Sequence, residues 1–164
     1  MKEIKKIMVP LAFSPYSQGI VEYSVLLGRS LDIDQLLFVN VIDERDVETV
    51  ERITALGYEV DGEHYIGKIQ EQRSEALEKM LEHVDFPREK IRLVITVGRP
   101  ATKLLQYAVR EDVDMIVMGV KARGEIAHAF TGSVAEKLFR RSPVTIVSYR
   151  DDKLAERLRN RITV

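Results

Sequence analysis

The chain has 164 residues, 45% of them hydrophobic and 31% charged, with a formal net charge of −1. That length and apolar share fit one globular domain with a substantial core and leave a second domain cramped. The absence of cysteine excludes a disulfide framework, a cysteine-based zinc site and a thiol nucleophile, and the spread of both charge signs along the chain argues against a nucleic-acid-binding face as the main function.

Residues 1–8 mix lysine with a glutamate and lead straight into a short apolar run, without the longer apolar core and small-residue cleavage site of a signal peptide. No apolar run approaches a membrane span. The expectation is a soluble cytoplasmic protein without a membrane or nucleic-acid partner.

Ile7 to Leu11 is a short run rich in β-favouring residues, with Pro10 limiting its continuation as a central strand. Ser14 and Ser17 are both candidate N-caps for a first helix, in which Ile20, Ser24, Leu27 and Leu31 recur at helical spacing and Val21 and Leu26 widen the stripe. Leu36 to Ile42 is nearly continuous apolar sequence with one polar break at Asn40, as expected of a strand covered on both faces. Asp43 to about Tyr65 is dense in charge and carries a turn signal at Asp61-Gly62, so a solvated helix and loop is expected, with a partner surface as the sharper alternative. From Ile66, the spacing Ile69, Arg73, Leu77, Met80 and Leu81 predicts an amphipathic helix ending before Asp85-Phe86-Pro87.

Ile91 to Val97 reads as a third strand, with Gly98 and Pro100 marking the turn out of it. A third helix over about 101–111 carries Leu104, Leu105, Ala108 and Val109 as its apolar residues. Met115 to Met118 is a fourth strand, a fourth helix opens near Ser133 with Val134 and Leu138 inward, and Val144 to Tyr149 is a fifth strand. Alternating apolar strands and amphipathic helices imply an α/β fold with a five-stranded doubly wound parallel sheet and helices on both faces. Such sheets bind ligands at the carboxyl ends of their strands, where strand order reverses. The loops after the first and fourth strands should therefore share one edge.

The stretch from Asp114 to Ser133 fits that position. A strand ending in Gly119, a loop with Lys121 and Arg123, and Gly132-Ser133 at a helix start together form an arrangement that suits a phosphate. Backbone N–H groups and the helix N-terminus would supply donors and partial positive charge. Alone, Gly119 could simply end a strand and Ser133 cap a helix; shared placement with the first loop favours the phosphate reading. Glu125 and His128 are the only acid–base candidates in that loop besides its cations, and no nucleophile–base–acid order, motif-linked carboxylate pair or H-E-x-x-H appears.

The segments IMVPLAFS, FVNVIDE, VGRP, DMIVMG, GSVAEKL and SPVTIV, in that order, make the chain resemble the universal stress protein family over residues 1–150. The resemblance implies a doubly wound fold of the adenine-nucleotide alpha-hydrolase-like kind. It also implies a non-enzymatic, stress-response or regulatory module and a homodimer formed through the last strand, here 144–149. Nucleotide-binding members hold ATP, with Mg or Mn, on a loop of the form G-x2-G-x9-G-(S/T) rather than a conventional P-loop. Gly119, Gly132 and Ser133 match its first glycine, third glycine and final hydroxyl residue, and Val120, Lys121 and Arg123 lie within it. Val134 and Ala135 match the backbone around the phosphates. Pro10 and Leu11 match the segment beside the base, and Val41 the apolar residue against adenine, with Met118 next to it.

Two positions depart from the pattern. Ala12 stands where ATP-binding members have an aspartate, and Ala122 where they have the second glycine. A missing charge-assisted hydrogen bond costs roughly 1.5–3 kcal/mol. A Cβ where close approach or positive φ is needed costs on the order of 1 kcal/mol more. Together, about 3–4 kcal/mol would move a micromolar site towards the millimolar range. The expected pocket is therefore weak or altered, with a ligand-free protein-interaction adaptor or slow ATP hydrolysis as alternatives. In the tail, 151–164, Leu154, Leu158 and Ile162 form one helical stripe, which packs either on its own subunit or across a dimer.

Overall fold

The computed structural model describes residues 3–58, 61–119 and 133–163. The elements run β1 (Lys6–Pro10), α1 (Ser17–Ser30), β2 (Gln35–Asp43), α2 (Glu44–Ala55), α3 (Gly62–Leu81), β3 (Ile91–Gly98), α4 (Pro100–Arg110), β4 (Met115–Gly119), α5 (Ser133–Arg141), β5 (Thr145–Tyr149) and α6 (Asp152–Arg159). A short 3-10 turn at Arg88–Lys90 leads into β3. The five strands form one sheet in the order β3-β2-β1-β4-β5, with every pairing parallel.

Strand residues sort by parity, because successive side chains point to opposite faces. Ile7, Val9, Leu36, Phe38 and Val117 meet Ile20, Val21 and Val25 of α1 and Leu77 and Leu81 of α3 in one cluster. Met8, Leu37, Val39, Ile116 and Met118 meet Leu104 and Ala108 of α4 and Ala135 and Leu138 of α5 in the other. With helices on both faces, the central strands have no solvent side, which is why they read as continuous apolar runs. Asp114 ties the starts of β1 and β4 together, its Oδ2 accepting from the backbone N–H groups of Lys5 and Lys6 at 2.9 and 2.8 Å.

The structure corrects three local expectations. Neither Ser14 nor Ser17 caps α1 through its side chain: the N-cap position is Tyr16, and the Ser17 hydroxyl instead accepts from the Ser14 N–H at 2.8 Å. The segment after Asp43 holds the expected solvated helix, α2, with no buried residue, but its Asp61-Gly62 turn is not one. Asp43 caps α2 by accepting from Arg45 N, and Asp61 caps α3 by accepting from His64 N at 2.7 Å, so Asp61-Gly62 starts a helix rather than making a turn. The second amphipathic helix thus begins at Gly62, ahead of Ile66. In the tail, α6 ends at Arg159; Leu154 is buried within the chain, whereas Ile162 lies beyond the helix and is 69% exposed. Among the described residues, no helix is long and apolar enough to cross a membrane.

Candidate functional site

Strand order reverses between β1 and β4, since β2 and β3 follow β1 to one side while β4 and β5 lie on the other. Pro10 helps to open this point. Neighbouring residues of a parallel strand direct their backbone groups to opposite partners. The Leu11 N–H donates to Val39 O of β2 at 2.9 Å, so the N–H that Pro10 lacks is the one that would face β4. The register between β1 and β4 accordingly ends at Met8–Ile116, while that between β1 and β2 runs on to Pro10–Val39.

The resulting cleft has a volume of about 410 Å³. Pro10, Leu11 and Ala12 follow β1 into it, Val39, Asn40 and Val41 come from β2, and Met118 and Gly119 end β4. Pro100 and Leu104 of α4 and Val134 and Ala135 of α5 close the remaining side. The structure therefore brings Pro10, Leu11, Ala12, Val41, Met118, Gly119, Val134 and Ala135 together around one space. Val120, Lys121, Ala122, Arg123 and Gly132 lie outside the described residues, as do Glu125 and His128; Ser133 opens α5.

The cleft is suited to a flat ring, with apolar walls and nearby backbone groups. Ala12 is exposed at its edge. A Cβ added to Gly119 would meet only Ile20 Cδ1, at 3.5 Å, an ordinary contact. Packing among the described residues therefore leaves space above the end of β4. Gly98 differs: its φ of +151° lies in the region favouring glycine, and a Cβ there would meet Lys103 Cε at 2.5 Å. It allows the sharp exit from β3 that places Arg99 and Pro100 at the start of α4.

Sequence reasoning missed two polar residues of the cleft. Asn40 is buried, donates from Nδ2 to Leu11 O at 2.6 Å, and accepts on Oδ1 from Arg73 of α3. The Arg73 guanidinium also lies 5.9 Å from the Phe13 ring centroid, and burial pushes its pKa down, with Tyr65 and Asp46 opposing. Phe13 itself has φ +51°, a left-handed conformation unusual for a bulky side chain. Arg73, Asn40 and Phe13 thus hold the loop after β1 in a strained shape where it forms the cleft wall. The available signal was Asn40, the one polar residue within an apolar strand.

Arg45, also missed, is the sole charged side chain lining the cleft among the described residues. Its Nε and Nη2 form a fork on Asp43, at 3.0 and 2.6 Å. The Arg45 hydrogen bond holds the Asp43 carboxyl below its ordinary range, against the effect of burial. Among the described residues, no cluster of three or more His, Asp or Glu side chains is placed to hold a metal. The described part of the cleft supplies a cation, not carboxylates, so it does not fit a protein-held Mg or Mn ion.

The family model for universal stress proteins matches residues 3–150. A universal stress protein of Methanocaldococcus jannaschii is 27% identical over 156 residues, covering 87% of this chain and 94% of the relative. Among solved structures, a universal stress protein in complex with cAMP superposes with a TM-score of 0.63 at 17% identity, covering 91% of this chain and 98% of that one. The Archaeoglobus fulgidus universal stress protein in complex with dAMP gives a TM-score of 0.61 at 14% identity, with coverages of 91% and 100%. The structural likenesses establish the shared fold, and the family match spans all five strands and the described cleft. The chain belongs to the universal stress protein family.

Proposed function

We propose that the chain is a homodimeric, non-enzymatic stress-response or regulatory module of the cytoplasm, with an adenine-nucleotide pocket of weakened or altered affinity. The observation that carries this reading is the switch-point cleft lined by Leu11, Ala12, Val41, Met118 and Gly119. The nucleotide complexes of two structural neighbours support the ligand class. In the proposed pose, the ring lies between Val41 and Met118, and the phosphates lead past Gly119 towards the loop 120–132 and Ser133. Mg or Mn would accompany those phosphates as their counter-ion rather than be held by side chains of the cleft.

Ala12 supplies no carboxylate to a ribose or base, so affinity for ATP is expected to be lower than in relatives with the full motif. Isothermal titration and native mass spectrometry of freshly purified protein test this reading together. Weak, saturable ATP binding to a dimer is expected. Stoichiometric ATP or AMP released by heat denaturation would refute the weakened site, and absence of binding by any adenine nucleotide would refute the pocket. Phosphate release assayed with Mg or Mn should stay at background, because the described cleft contains no acid or histidine to activate water.

A second reading is a ligand-free adaptor using the segment 43–65. Ile53, Leu56 and Tyr58 are exposed together near the end of α2, with Leu56 78% and Tyr58 65% exposed. Pull-down of partners with Leu56→Ser and Tyr58→Ser variants tests it. Unchanged partner recovery would end it.

A further inference from the structure

Beside the apolar cleft lies a second, polar basin of about 530 Å³. The two share Arg45, Pro100 and Val134 as a common rim, so a ligand can run from one into the other without leaving the protein surface. The basin is lined by cations from three separate elements: Arg45 at the start of α2, Arg99 before α4, and Lys137 and Arg141 on α5.

Two of these cations are held by acidic neighbours without exhausting their donors. Asp43 accepts from Nε and Nη2 of Arg45, and Glu44 accepts from Nε of Arg99 at 2.8 Å. Among the described residues, this leaves Arg45 Nη1 and both terminal nitrogens of Arg99 without a hydrogen-bond acceptor. Lys137 and Arg141 have no ion-pair partner among the described residues, although Arg140 on the same helix pairs with Glu136. Residues 137 and 141 are one helical turn apart and fall on one face, about 6 Å apart along the axis. The remaining acid of the basin is Glu48, whose charge acts on Arg99, so the cations of the basin outnumber its acids by four to three.

We propose that this basin is an oxyanion site for phosphoryl groups, continuous with the ring-binding cleft. Guanidinium groups fixed by carboxylates present their other N–H donors at little further entropic cost, the arrangement that suits tetrahedral oxyanions. As an extension of the nucleotide reading above, the site favours a chain of phosphates over a single one, since Lys137 and Arg141 continue along α5 beyond Ser133 at its N-terminus. The same chemistry accepts the outer phosphates of a bound nucleotide or a free pyrophosphate.

The test uses the full chain and four probes, adenosine, AMP, ATP and inorganic pyrophosphate, each titrated calorimetrically against the parent, a Lys137→Ala/Arg141→Ala variant and an Arg140→Ala control. All three replaced side chains are exposed, and thermal melting checks that the fold is kept. In the parent, ATP should bind about tenfold tighter than AMP. The double variant should lose most of that ratio and most pyrophosphate affinity while binding adenosine as the parent does; Arg140→Ala should change neither. Competition between pyrophosphate and ATP identifies the nucleotide's own outer phosphates as the occupant, and additive binding identifies a separate free phosphate. If pyrophosphate alone binds and the double variant abolishes it, the basin stands and the nucleotide cleft falls. An unchanged ATP-to-AMP ratio together with unchanged pyrophosphate affinity in the double variant overturns the basin.

Discussion

Ala12 and Arg73 affect the same few atoms from opposite directions. Ala12 leaves the edge of the cleft without an acceptor, whereas Arg73 reaches from α3 through Asn40 to fix the Leu11 carbonyl beside it. Ala12→Asp should restore a carboxylate and tighten adenosine binding by about tenfold to a hundredfold, the equivalent of roughly 1.5–3 kcal/mol. Unchanged adenosine affinity in that variant would show that the ring does not sit where the cleft places it. Arg73→Ala leaves Asn40 Oδ1 as a buried acceptor without that partner and frees the loop bearing Phe13, so a loss of about 1–3 kcal/mol in unfolding free energy is expected. Arg73→Lys should recover only part of it, because an ammonium replaces one donor but not the planar contact with Phe13. Ser24 is a simpler case. Its hydroxyl is fully buried in α1 with no hydrogen-bond partner among the described residues, so Ser24→Ala should raise stability by about 1 kcal/mol in a urea titration.

Among the elements, those built by hydrophobic pattern were legible in the sequence and those built by single polar contacts were not. All five strands lie within a residue or two of their expected positions, because burial on both sheet faces leaves a continuous apolar signature. The start of α3 was misplaced because Asp61-Gly62 has the composition of a turn, and only the contact from His64 N to the Asp61 carboxylate makes it a cap. Likewise, the apolar walls of the cleft followed from strand order and family motifs. Arg45 and Arg73 come from helices whose charged residues look alike in sequence, and their roles depend on reaching Asp43 and Asn40. The corner joining β3 to the end of α4 provides a pH test of such a contact. Burial pushes the Glu111 carboxyl up, but the Arg92 hydrogen bond and the charges of Arg92, Arg110 and Lys6 more than offset this and lower its pKa. A carboxyl depressed by folding contributes stability that is present above the ordinary carboxylate range and is lost as pH falls through the folded value. Arg92→Ala should therefore melt lower than the parent at pH 7, by up to about 1 kcal/mol for a half-exposed pair, and the two should converge in acid. A gap that persists below the folded pKa would assign the effect of Arg92 to packing instead.

For the whole molecule, the free side of β5 matters most. Among the described residues, the sheet ends at β3 on one side and β5 on the other, and β5 pairs only with β4. Its sequence, Thr145 to Tyr149, contains no charge or proline, the features that usually blunt an edge strand. Pairing of two β5 strands across a two-fold axis would satisfy those backbone groups and join two sheets, consistent with the dimer expected from the family. Because successive residues of a strand direct their N–H groups to opposite sides, only one of Val147 and Ser148 donates towards the free edge. Proline at that position should yield a folded monomer by light scattering, whereas proline at its neighbour should break the β4–β5 ladder and lower the melting temperature of the subunit itself. The parent's melting temperature should rise with protein concentration, as mass action requires of a fold supported by association. A parent that stays monomeric at high concentration, with both proline variants affecting only subunit stability, would assign β5 to the subunit alone and leave its outer edge to solvent.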